Sequence, residues 1–191
     1  MSSRKETIHE AAAKLFRKKG YAATSVQDIA DAVGIKAASL YNHINSKQEI
    51  LKELCMPIAS AFSLGMEEIE NSSLNPLEKL EQLVTLHLKL TIHNGDRMTL
   101  ITGDWIHLDA EDLKKFKLSR SKYETSFKSI LNSAKNESLI NPKINIDVAL
   151  FSILSSLHWL YSWKERHQDI SSVELEKQLK ECLLGGLRIA K

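Results

Sequence analysis

Seven histidines, two cysteines and 24 acidic residues are the raw material for a metal site, a nucleophile or an acid–base pair. None stands at a spacing that builds one. His9-Glu10 begins like a zinc-protease helix, but the second histidine such a helix needs four residues on is replaced by Ala13. Cys55 and Cys182 form no CxxC pair, and the seven glycines never reach the spacing of a phosphate-cradling loop. His87 and His93, six apart, face different sides of a helix. Neither an enzyme, a cofactor nor a metal site is expected. The residues that do form a chemical pattern lie between Thr24 and Lys47. There, short hydroxyl, amide and imidazole side chains alternate with small residues and flank two lysines, which is the chemistry of base edges and phosphates.

These groups need rigid elements to present them. Ile8, Ala11, Ala12, Leu15 and Phe16 recur at helical spacing over 4–19, and Gly20 ends that run after three cations. Ser25-Val26-Gln27-Asp28 is a capping box that opens a second helix, closed by Gly34. A third runs from Ala37 to Ile44, and Ser46-Lys47-Gln48-Glu49 is another capping box that opens a long helix to about Asn71. Two short helices joined only by Gly34-Ile35-Lys36 have the spacing of a helix-turn-helix. Lys36, Ala37 and Ser39 then meet base edges, with Ala37 small enough for close approach. Asn42 reaches bases or phosphate, Tyr41 and His43 face the backbone, and Lys47, Thr24 and Ser25 sit at helix N-termini that suit phosphate. Leu40 falls inside this stretch and is counted with it, and also with Ile29, Ala30, Ile35 and Ile44 in a three-helix core. A core this small is marginal alone and should lean on the helix from Lys47.

Charge agrees with this division. Residues 1–50 hold eight Lys/Arg against five Asp/Glu, a net of +3, while the whole chain carries only +2. A basic segment on a near-neutral body points to a polyanion partner for that segment alone. No apolar run approaches the ~18 residues of a membrane span. The polar N-terminal residues and unpaired cysteines suit a cytoplasmic protein without membrane attachment.

Gly20 to Ala30, and then Gly34 to Leu51, closely resemble the DNA-binding domain of the TetR family of all-helical, dimeric, ligand-responsive transcription regulators. The resemblance implies phosphate contacts at the positions of Tyr41 and Lys47, and a palindromic double-stranded operator. The family often places Ser or Thr where Lys36 stands, so here the side-chain cap of the recognition helix is lost and a cation replaces it. Asp104 to Leu108, Arg120 to Tyr123 and Leu157 to Trp163 resemble a subgroup that regulates fatty-acid and steroid catabolism, several members of which respond to acyl-CoA thioesters.

The remaining chain is helical throughout. The expected helices span 75–93, 96–107, 109–137, 146–166 and 171–190, with Pro57 inside the helix that follows Lys47, giving about nine helices and no strand. The expected fold is all-α, with a helix-turn-helix domain over 1–46 and a ligand-binding and dimerisation domain over 47–191. The last two helices are apolar enough to require a second copy, with Leu175, Leu179, Leu183 and Leu187 in one stripe. Phe62, Met66, Met98, Trp105, Tyr123, Phe127, Trp159 and Trp163 are the candidate lining of a pocket for a small hydrophobic effector such as an acyl-CoA. Arg97 or Arg120 is expected at its mouth. The competing reading of the same body is an all-helical carrier of lipids with no part in DNA binding. The basic helix-turn-helix segment argues against it.

Overall fold

The computed structural model describes residues 3–167 and 169–187. Among them are ten α-helices, two 3-10 turns and no strand. The helices are α1 (Arg4–Lys19), α2 (Val26–Ala32), α3 (Ala37–Leu40), α4 (Lys47–Glu70), α5 (Pro76–Asn94), α6 (Met98–Thr102), α7 (Ala110–Asn136), α8 (Ile146–His158), α9 (Leu160–Arg166) and α10 (Ser172–Gly185). Side-chain caps start several of them: Ser3, Ser25, Asn145 and Ser171 each accept from a backbone N–H of the first turn.

Three expected helices differ in detail. The run expected over 96–107 is in fact a 3-10 turn (Gly95–Arg97), α6, and a second 3-10 turn (Asp104–His107), broken at Gly103, whose ψ of −55 comes with an extended φ of −134. The run over 146–166 is interrupted at Trp159. The last helix ends at Gly185, and its expected continuation through 188–190 lies outside the described residues.

The chain packs as two compact units, one of Met1–Ser60 with Asn94–Leu118 and one of Ala61–His93 with Ser119–Lys191. Helices α4 and α7 each contribute residues to both. The first unit is larger than the 46 residues expected to read DNA, for a reason of size. Ile8, Phe16, Ile29, Leu40 and Ile44 form a core that is closed by Ile50, Leu51 and Leu54 of α4 and by Leu100, Leu108 and Phe116. Ion pairs of Arg97 with Glu6 and of Arg17 with Asp96 fasten the Gly95–Arg97 turn to α1. Arg97, expected at a pocket mouth, is thus a partner of α1. Asp112, 2% exposed, is paired with Lys52 at 2.8 Å.

The second unit has its own core of Leu80, Leu83, Val84, Leu88, Phe127, Leu131, Ile153, Leu157 and Leu184. Leu179 and Leu183, expected on a face between subunits, pack partly buried against this core. Among the apolar side chains left outside are Val148, Phe151 and Trp159 on α8 and its C-cap, and Val173 on α10, all 60–81% exposed. Gly65 of α4 has no room for a side chain: a Cβ there would come within 2.6 Å of Leu86.

His87 lies within the second unit's core, 4% exposed, and burial pushes its pKa down to about 3. Burial also lowers those of His9 and His158. The unfolded chain binds these protons from pH ~6.5 downward, whereas the folded chain excludes the one on His87 until about pH 3. The stability that neutral histidines confer is therefore complete above pH ~6.5 and lost as pH falls, at up to about 1.4 kcal/mol per unit from His87. Urea midpoints at pH 7.5, 6 and 5 should fall in that order, and the dependence should be shallower in His87→Gln.

Candidate nucleic-acid interface

Each turn of the helix-turn-helix is held by a distinct local device. After α2 the chain makes a Schellman motif: Gly34 N–H donates to Asp31 O at 3.1 Å and Ile35 N–H to Ala30 O at 3.0 Å. Gly34 takes φ +69, which a side chain would strain, and this sets the direction in which α3 leaves. The capping box before α2 is complete. Asp28 N–H donates to Ser25 Oγ (3.0 Å), and Ser25 N–H and Oγ–H both donate to Asp28 Oδ2 (2.8 and 2.7 Å). Lys19 donates to the other oxygen of the same carboxylate at 2.7 Å. Lys19 first, and then Ser25, hold the Asp28 carboxyl far below the usual range. Before α4, Ser46 Oγ accepts from Glu49 N–H, but the Glu49 carboxylate reaches back to Asn45 instead of Ser46, so the expected box is shifted by one residue.

The recognition helix is short. Regular helix covers only Ala37–Leu40, and the chain continues to Ile44 as turns in which His43 and Ile44 N–H both donate to Leu40 O. Lys36 stands at the N-cap with no side-chain cap bond, as its substitution for Ser or Thr implies, and only its carbonyl takes part, accepting from Ser39 and Leu40.

The candidate contact residues fall into two groups. Ser25, Lys36, Ser39, Tyr41, Asn42 and His43 are exposed, and Ala37 is partly so. Tyr41 shows 54% of its surface, unusual for an aromatic with no packing role. Thr24 and Leu40 are corrections. Leu40 is fully buried in the first core, so its side chain anchors α3. Thr24 is 1% exposed, and its hydroxyl donates to Gly20 O at 2.9 Å, closing the end of α1.

Lys47 has a structural task beyond the phosphate contact expected of it. Its Nζ donates to Tyr21 O at 2.8 Å and to Thr24 O at 2.7 Å, and lies 4.2 Å from the centre of the Tyr21 ring. Sequence reasoning missed Tyr21 itself. It is buried against Phe16, the His107 ring stacks on it at 5.1 Å, and the Asp104 carboxylate accepts from its backbone N–H. The Asp104–Leu108 motif, read from sequence as a mark of an effector-responsive subgroup, thus serves here to pin the turn that precedes α2. Trp105 of that motif stacks on Phe116 within the first unit.

The candidate pocket residues are likewise divided. Met98 and Trp105 belong to the first unit. In the second, Phe62, Tyr123 and Phe127 form a chain of ring contacts, and Met66 joins the same core. Trp163 packs partly buried on that core and stacks on His167, whereas Trp159 is 69% exposed. Arg120 pairs with Glu124. Cys55 is buried and its thiol pushed up to about 12, which leaves it protonated and inert. Among the described residues, no group of three or more His, Cys, Asp or Glu could hold a metal ion, and no helix is long and apolar enough to cross a membrane.

A helical unit presenting a polar recognition helix, in a chain whose other unit is also helical, defines a DNA-binding regulator. The chain belongs to the TetR family: residues 8–54 match the model of the bacterial regulatory proteins of that family, and residues 73–187 that of the tetracyclin repressor-like C-terminal domain. It is 25% identical over 189 residues to the HTH-type transcriptional repressor KstR2 of Mycobacterium tuberculosis, covering 98% of this chain and 94% of that one. Identity to KstR2 of Rhodococcus jostii is 27% over 191 residues, covering 97% and 92%. The solved structure of the M. tuberculosis ketosteroid transcriptional regulator KstR2 has the same fold, with a TM-score of 0.90 at 24% identity over 100% of this chain and 97% of that one. So does AibR, solved with isovaleryl coenzyme A and operator DNA, with a TM-score of 0.78 at 24% identity over 97% and 98%.

Three substitutions separate the local devices. Gly34→Ala should cost about 1–2 kcal/mol through its positive φ. Lys47→Met should lower the thermal midpoint as well as DNA affinity, whereas Tyr41→Phe should leave the midpoint within a degree or two. A Lys47→Met protein that melts like the wild type would deny Lys47 its hold on the Tyr21 turn.

Proposed function

We propose that this regulator is a cytoplasmic, non-enzymatic repressor that binds a palindromic operator as a homodimer and leaves it when a small hydrophobic effector binds. The observation that carries the reading is the row of exposed polar side chains on and around α3, directly after a turn locked by Gly34. In this reading Lys36, Ala37 and Ser39 meet base edges, while Ser25, Tyr41, Asn42 and His43 meet backbone or neighbouring bases. Lys47 supports them by fixing the turn between α1 and α2. DNA reading is assigned to 1–46, and effector binding and dimerisation to 47–191.

Dimerisation is supported by Val148, Phe151 and Trp159. Spaced 3 and 8 residues apart, they lie on one side of α8 and its C-cap, and their exposure is more than a soluble helix gains by leaving to water. A two-fold partner covering α8 and α10 would bury on the order of 2,000 Å² or more. Effector binding is supported by the aromatic interior of the second unit. The KstR2 relatives are repressors by name, and AibR, which has the same fold, was solved with isovaleryl coenzyme A and operator DNA. An acyl-CoA is accordingly the proposed effector class. α4 and α7, each running through both units, are the proposed carriers of the signal.

The test is selection of bound DNA from a random pool, repeated with acyl-CoAs present. The expected site is a palindrome with half-sites about one helical turn, roughly 34 Å, or a multiple apart. Ser39→Ala should change the preferred sequence, and Lys36→Ala should lower the slope of log affinity against log salt by about one if it meets phosphate, or alter base preference if it meets bases. Phe151→Glu with Trp159→Glu should give monomers by light scattering that no longer bind the operator. A wild-type protein of monomer mass, or a selection that enriches no sequence, overturns the proposal.

A further inference from the structure

Helix α5 carries polar groups into the core of the second unit, where Thr85, His87 and Thr91 are all less than 7% exposed. Thr85 is accounted for, since its hydroxyl reaches Glu176 at 2.7 Å. His87 and Thr91, one turn apart, share a face of α5. His87 Nε2 and the Tyr123 hydroxyl of α7 lie 2.9 Å apart, with the Phe62 ring of α4 4.7 Å from the imidazole and 5.7 Å from the phenol. Thr91 Oγ1 is buried and has no hydrogen-bond partner among the described residues. An unpaired buried hydroxyl destabilises the fold, which a valine of the same shape would not do. Phe62 and Tyr123 are partly buried.

Its chemistry is selective. Burial keeps the imidazole neutral and the phenol protonated. With the imidazole proton on Nε2, His87 donates to the Tyr123 oxygen and leaves the phenol proton for a further acceptor. The Thr91 hydroxyl offers a second. Two neutral donors against aromatic walls suit an uncharged carbonyl oxygen, while a desolvated carboxylate would need a cation beside it.

We infer that Thr91 and the His87–Tyr123 pair form the polar end of the effector site, and that the effector presents an uncharged carbonyl there. This rests on the reading of the chain as effector-controlled, and it adds the site and the functional group recognised. The experiment compares octanoyl-CoA with S-octyl-CoA, the thioether that lacks only the carbonyl, by calorimetry on the full-length protein. Wild type should bind the thioester about tenfold tighter. Thr91→Val should melt higher without ligand, and both it and Tyr123→Phe should reduce the ratio to threefold or less. Equal affinities in wild type, an unchanged ratio in both variants, or a Thr91→Val protein that melts lower each overturn the inference. If neither compound binds, the acyl-CoA reading falls separately, and melting shifts with 2-undecanone and undecane decide the site. A larger shift from the ketone that Thr91→Val abolishes sustains it, and equal or absent shifts overturn it.

Discussion

The first unit depends on how the turn at Tyr21 is held. Four contacts converge there: the end of α1 through Phe16, the start of α4 through Lys47, the Asp104 carboxylate on the Tyr21 N–H, and the His107 ring on the Tyr21 ring. A turn between helices leaves backbone carbonyls without intrahelical partners. Here two of them, on Tyr21 and Thr24, are satisfied by one ammonium, and the placement of α2 relative to α1 and α4 follows from that choice. Since α3 is joined to α2 by a rigid Schellman turn, the direction of the recognition helix is fixed through the same anchor.

That arrangement explains why so small a head is not built from its own 46 residues alone. Three short helices cannot bury enough apolar surface to be stable by themselves. Leu100, Leu108 and Phe116 complete the core, and ion pairs at Asp96 and Arg97 secure the segment that brings them. A segment distant in sequence is therefore part of the first unit.

The second unit is organised by a different constraint. Its core is nearly all aliphatic and aromatic, and the few polar groups in it are neutral at ordinary pH because burial disfavours their charged forms. Cations and acids of this unit are kept to its surface, as in the Arg120–Glu124 pair.

Much of this was legible in the sequence. The apolar stripe of α1, the Ser25–Asp28 box, Gly34 as the end of α2, and the helix starting at Lys47 all depend on interactions within a few residues, and the structure reproduces each of them. The all-α class and the exposure of Lys36, Ser39, Tyr41, Asn42 and His43 were legible for the same reason. What the sequence could not determine by itself were contacts between residues far apart along the chain. Lys47 on the carbonyls of Tyr21 and Thr24, Asp104 and His107 on Tyr21, Arg97 on Glu6, and the division of the candidate pocket residues between two units are of this kind. Helical periodicity tells which side of a helix is apolar, but not which other element covers it. Leu179 and Leu183 turned toward their own core and Trp159 toward solvent because the packing of α8 and α10 as whole bodies, and no local rule, decides which apolar stripe is buried first.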